Sequence, residues 1–131
     1  MIIAAIDPGT KESALVILDS ENEEISFHEK ILNEILLQNL WGGPWILKPE
    51  ILVIEVIRGF GISAGETIFE TCELIGLFRA TFRFKGMNEV RVGRKDVVNH
   101  FCGHTKGGDP AIREALIHRF GEPGTKKNKG K

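Results

Sequence analysis

Two dense apolar runs dominate the hydrophobic pattern, Ile2-Ile3-Ala4-Ala5-Ile6 and Ile51-Leu52-Val53-Ile54-Glu55-Val56-Ile57. Each carries one acid: Asp7 ends the first run and Glu55 interrupts the second. Runs this rich in Ile, Val and Leu predict strands covered on both faces. Between them, residues 13–18 and 25–31 read as two more strands, joined by the polar turn Asp19-Ser20-Glu21-Asn22-Glu23, so the chain opens as an antiparallel meander. Asn33 is placed to cap a short helix through Leu40, which Trp41-Gly42-Gly43-Pro44 breaks. A crossover of this kind sets the strand at 51–57 parallel to the first.

Downstream the period changes to that of a helix. Residues 63–83 predict the longest one, starting near Ser63, with Ile68, Cys72, Ile75, Phe78 and Phe82 on a buried face and Glu66, Glu70 and Glu73 on another. A strand near 89–92 follows, then a helix over 95–101 ended by Gly103. The last helix is capped by Asp109, has Pro110 at its first position, and carries Ile112, Ala115, Leu116 and Phe120 as its core stripe. Trp41 and Trp45 are expected to pack the crossover onto the sheet. The expected organisation is one α/β domain over 1–121 and a basic, flexible tail over 122–131.

Composition narrows the function classes. A net charge of −1 over 131 residues excludes a globally basic polymer binder. The charge is nevertheless uneven: acids crowd Glu12 to Glu34, while Arg79, Arg83, Lys85, Arg91, Arg94, Lys95, Lys106, Arg113, Arg119 and the tail lysines make the second half a candidate phosphate-facing region. The N-terminus has no basic region before its short apolar run, and no run is long enough to span a membrane. Cys72 and Cys102 lack partners at metal-finger spacing and read as structural thiols, which fits a reducing cytoplasm.

The two strand acids carry the candidate chemistry. An unpaired carboxylate inside a covered strand costs several kcal/mol, and a cation shared by Asp7 and Glu55 would offset that cost. Hard oxygen ligands on neighbouring strands select Mg²⁺ or Mn²⁺. Blander readings stand beside this one: Asp7 as a turn former before Pro8-Gly9, Glu55 as an edge or paired core acid, and the basic residues as solvated charges. Phe60, in the glycine-flanked loop after Glu55, could stack on opened bases or pack in the core.

Ile-Asp-Pro-Gly-Thr at 6–10 closely resembles the opening of RuvC-type Holliday junction resolvases, and Ile54-Glu55 with Gly59-Phe60-Gly61 resembles their second acidic strand and loop. Phe69-Glu70-Thr71-Cys72, Arg94-Lys95-Asp96-Val97, Cys102-Gly103, Asp109 with Ile112-Arg113, Arg119-Phe120-Gly121 and Gly124-Thr125-Lys126-Lys127-Asn128 are similar to the RuvC-like proteins of bacteriophages and prophages. The resemblance implies a ribonuclease H-like fold with a mixed five-stranded sheet, three antiparallel strands followed by parallel ones. It further implies a homodimeric, metal-dependent endonuclease that cuts branched DNA in the cytoplasm of a bacterial host. In such enzymes carboxylates hold two divalent ions about 3.5–4 Å apart, which activate a water and neutralise the departing oxygen. Asp7 would bridge both ions and Glu55 would ligate one. Arg58, Phe60, Arg94, Lys95, Lys106, Lys126 and Lys127 are the expected DNA contacts.

Two departures accompany the match. RuvC-like enzymes complete the site with a further ligand on a C-terminal helix, and no residue before Lys131 takes that position, so the sequence is expected to be truncated or impaired. Asp109, beside Pro110, is expected to be a helix cap rather than the missing ligand. Val98 stands where the family is expected to place a lysine near the phosphate, leaving Arg94 or Lys95 to supply that charge. A junction-binding protein that does not cleave is therefore the alternative function. A nucleotide-binding reading through Asp-Pro-Gly-Thr, as in sugar kinases and actin-like ATPases, needs a duplicated fold that 131 residues cannot hold.

Overall fold

The computed structural model describes residues 1–42, 49–58, 65–103 and 108–122. In chain order the elements are β1 (Ile2–Asp7), β2 (Glu12–Asp19), β3 (Glu24–Leu32), α1 (Asn33–Gly42), β4 (Ile51–Val56), α2 (Glu66–Phe84), β5 (Asn88–Gly93), α3 (Arg94–Cys102) and α4 (Asp109–Phe120). The five strands form one sheet in the order β3-β2-β1-β4-β5. β1 pairs antiparallel with β2, and β2 with β3, while β1 and β4 are parallel, so the expected meander and crossover are both present. Residues 1–92 form one compact unit and Gly93 onward a second.

Period-two alternation divides the sheet of the first unit into two unlike faces. Ala4 and Ile6 of β1, Leu15 and Ile17 of β2, and Leu52 and Ile54 of β4 are buried, and they pack with Leu36 and Leu40 of α1 and Leu74, Ile75, Phe78 and Phe82 of α2. The intervening residues Ala5, Ala14, Val16 and Val53 are only partly covered. The strands are therefore fully enclosed on one face, not on both.

The buried face of α2 is rotated from the expected one. It comprises Thr71, Leu74, Ile75, Phe78, Thr81 and Phe82, whereas Ile68 and Cys72 are exposed. Two threonines can enter an apolar face because each hydroxyl donates to the carbonyl one turn back, Thr71 to Thr67 and Thr81 to Leu77, both at 2.8 Å. Summed hydrophobicity would not select them, so the stripe drawn through Ile68 and Cys72 missed the turn that faces the sheet. Cys72 is accordingly a surface thiol. The helix begins at Glu66 behind Gly65, and Ser63, Trp45 and the 123–131 segment lie outside the described residues.

In the second unit Gly103 ends α3 in the left-handed conformation, φ 73°, as its position predicts. The cap of α4 is Gly108 rather than Asp109, which is already helical with Pro110 beside it. Of the expected α4 stripe only Ile112 is buried; Leu116 is exposed. Val98 of α3 is buried, so at that position the chain has a packing residue.

Candidate active site

Along the parallel β1–β4 ladder Ala4, Ala5 and Ile6 are level with Leu52, Val53 and Ile54. One step further come Asp7 and Glu55, on strands whose backbones run about 4.8 Å apart. Their side chains fall on the face opposite the core. Both line one hollow of about 200 Å³, together with Ala5, Ile6, Ala14, Val16, Val53 and Val92. Ala14 is the β2 partner of Asp7, and its small side chain helps keep this space open. Among the described residues that line it, Asp7 and Glu55 are the ionisable ones.

Asp7 is exposed at the end of its strand and Glu55 is half-buried. The expectation of two acids enclosed in covered strands is thus corrected at Asp7, which avoids most of the desolvation cost by its terminal position. The case for a cation consequently rests on convergence of two carboxylates, not on burial. Two hard oxygen donors, with water free to fill the remaining positions, fit Mg²⁺ or Mn²⁺. Among the described residues no group of three or more His, Cys, Asp or Glu gathers into a larger metal site.

The turn that follows Asp7 is held by a closed ring of hydrogen bonds. The Gly9 N–H donates to Ser13 Oγ at 3.3 Å, the Ser13 hydroxyl donates to Asn33 Oδ1 at 2.7 Å, and Asn33 Nδ2 donates back to the Gly9 carbonyl at 2.9 Å. The Asn33 N–H adds a bond to the Lys11 carbonyl at 2.9 Å. A Cβ on Gly9 would lie 2.3 Å from the Glu12 carbonyl oxygen, so the tight turn admits only glycine there. Asn33, expected as a helix cap, instead begins α1 and spends its amide on this turn. Pattern reading missed Ser13 and Asn33 because their partners are 20 and 24 residues apart in sequence.

On the other side of β4, Arg58, Arg79 and Arg91 line a groove of about 700 Å³ with Val56, Ile57, Cys72, Ile75 and Glu89. Arg79 of α2 grips Glu89 of β5 through Nε and Nη2, both at 2.9 Å. That fork holds the Glu89 carboxyl down at about 2; burial opposes the effect and Arg83 reinforces it. Arg94 and Asp109 form an ion pair within the second unit, and Lys95 is exposed on α3. Of the expected DNA contacts, Phe60, Lys106, Lys126 and Lys127 lie outside the described residues. No helix among the described residues is long and apolar enough to cross a membrane.

No protein-family profile matches the sequence, and no curated protein matches it. Solved structures do match by fold. RuvC of Thermus thermophilus superposes with a TM-score of 0.72 at 14% identity, over 90% of this chain and 79% of that one. The same enzyme in complex with a Holliday junction substrate gives 0.71 at 14% identity, over 90% and 78%. The yeast mitochondrial Holliday junction resolvase gives 0.63 at 11% identity, over 89% of this chain and 63% of the other. The mixed five-stranded sheet with its flanking helices is therefore the ribonuclease H-like fold of RuvC resolvases.

Proposed function

We propose that the protein is a metal-dependent, structure-selective DNA endonuclease that resolves Holliday junctions or related branched DNA, and that it acts as a homodimer encoded by a phage or prophage. The observation that carries this reading is the meeting of Asp7 and Glu55 in one open hollow at adjacent strand ends, on the fold of RuvC resolvases. The resolvase solved with a Holliday junction supports branched DNA as the substrate class.

Asp7 and Glu55 would hold Mg²⁺ or Mn²⁺, Asp7 as the shared ligand and Glu55 as ligand to one ion. Two such ions, when bound, supply an activated water and charge neutralisation at the departing phosphodiester oxygen. The chain's own residues contribute placement. Ala5, Ala14, Val16, Val53 and Val92 give the hollow an apolar lining beside the carboxylates, and the ring through Gly9, Ser13 and Asn33 orders the turn behind Asp7. Arg58, Arg94 and Lys95, with Phe60, Lys106, Lys126 and Lys127, would contact the DNA, the cations positioning its backbone without reading sequence.

A second reading, a junction binder that does not cleave, is favoured by one observation: no third metal-ligating residue joins Asp7 and Glu55 among the described residues. One assay separates the two. A labelled synthetic four-way junction is incubated with the protein and Mg²⁺ or Mn²⁺, alongside linear duplex and the Asp7→Asn and Glu55→Gln variants. Paired nicks in the junction, lost in both variants, support the nuclease. Tight, metal-independent binding without nicks supports the binder.

A further inference from the structure

We infer that Ser13 and Asn33 are positioning residues for the Asp7 carboxylate, so that metal affinity at the acid pair depends on a hydrogen-bond ring that contains no metal ligand. This rests on the reading of Asp7 and Glu55 as a cation site. The ring spans three elements: the turn after β1 gives Gly9, β2 gives Ser13, and α1 gives Asn33. Both polar side chains are buried, at 1% and 7% exposure; the Ser13 hydroxyl accepts one bond and donates another, and the Asn33 amide accepts through Oδ1 and donates through Nδ2. Buried polar groups paired with one another in this way resist displacement, because a shift that breaks the ring leaves a donor or acceptor unsatisfied.

That geometry bears directly on Asp7. Its carboxylate lies two residues before Gly9, and Gly9 is held through both its N–H and its carbonyl. Asp7 is exposed, so packing does not fix the end of β1 there. On the far side of the turn Asn33 also fastens Lys11 through its backbone N–H. The β1–β2 turn is therefore clamped at Gly9 and Lys11 by one asparagine, and Asp7 enters that turn from a strand whose partner Ala14 adjoins Ser13. Outer groups of this kind, which orient a ligand without touching the ion, alter metal affinity by about 10- to 100-fold when removed.

Asn33→Asp tests the inference with little change of shape. It keeps the acceptor for the Ser13 hydroxyl but turns an oxygen toward the Gly9 carbonyl. Ser13→Ala opens the same ring from the other side, and Ile17→Val, a buried core change on the same strand, serves as the stability control. Mn²⁺ binding to the full chain is measured by calorimetry without DNA, with a thermal midpoint for each variant. Weakening by about 10-fold in both ring variants, with Ile17→Val within twofold of wild type despite a lowered midpoint, is the expected result. Mn²⁺ affinity within twofold of wild type in both ring variants overturns the inference. Asp7→Asn runs in parallel: if it abolishes binding while the ring variants do not, only the positioning role falls, and if it leaves binding intact, the cation site falls with it.

Discussion

Glu89→Gln is the substitution whose energetic consequence the structure states most fully. Glu89 accepts two bonds from Arg79 at 2.9 Å and two from Arg83 at 2.6 and 3.1 Å, and its side chain is only 11% exposed. The Arg79 fork is the main reason its carboxyl is held at about 2 rather than 4.5. Because the folded state binds this proton less readily than the unfolded chain, the pair stabilises the fold fully above the ordinary carboxylate range. That contribution is lost as pH falls from 4.5 toward 2. The step between those values corresponds to about 3 kcal/mol at neutral pH, of which roughly half remains near pH 3. Urea unfolding of the wild type and Glu89→Gln at pH 7 and pH 3 reads both figures. A gap of about 2–3 kcal/mol at pH 7 that narrows by about half at pH 3 is expected. A gap below about 0.5 kcal/mol at pH 7 would place the pair among ordinary surface ion pairs, and a gap independent of pH would refute the linkage itself.

Other expectations follow from the two faces of the sheet. Ala14→Leu fills the hollow beside Asp7, so it abolishes Mn²⁺ binding and junction cleavage while circular dichroism stays native; retained cleavage would show that the hollow is not where the metal binds. Gly9→Ala forces the turn to shift by its clash with the Glu12 carbonyl and lowers stability by about 1–3 kcal/mol in thermal unfolding. Saturating Mn²⁺ at about 100 times its dissociation constant raises wild-type stability by about 2.7 kcal/mol, an effect absent in Asp7→Asn. Cys72 is exposed on α2 and reacts with a maleimide in the native state, which peptide mapping detects; protection until denaturation would contradict the observed orientation of the helix.

The sheet was legible in the sequence because its signal is local. The two apolar runs, the polar turn at 19–23 and the crossover predict β1 to β4 to within a residue or two, and Gly103 marks the end of α3 by its backbone alone. The helix faces were less legible. In α2, Thr71 and Thr81 enter the core because their hydroxyls bond within the helix, while Ile68 and Cys72 stay outside. A hydropathy stripe counts the reverse. The pairing of Asp7 with Glu55 could be anticipated from two acids on two strands, but its surroundings could not. Ser13 and Asn33 read as an ordinary strand residue and a helix cap until the fold closes their ring around Gly9.

Leu52 and Glu55 lie three residues apart on β4, yet they fall on opposite faces, and that separation gives a direct test of what Glu55 is for. Leu52 is fully buried among α1 and α2 residues. Truncating it to alanine removes packed volume from the core and costs about 2–5 kcal/mol. Glu55 is half-buried on the opposite face, in the hollow it shares with Asp7 and with Ala5, Ala14, Val16, Val53 and Val92. Glu55→Gln keeps the volume and leaves the core face untouched, so in metal-free buffer it costs well under what Leu52→Ala costs, while junction cleavage is lost. If instead Glu55→Gln destabilises the metal-free protein as strongly as Leu52→Ala, Glu55 is a structural acid whose charge the fold itself requires. In that case the meeting of the two carboxylates is a feature of packing and the nuclease reading loses its main support.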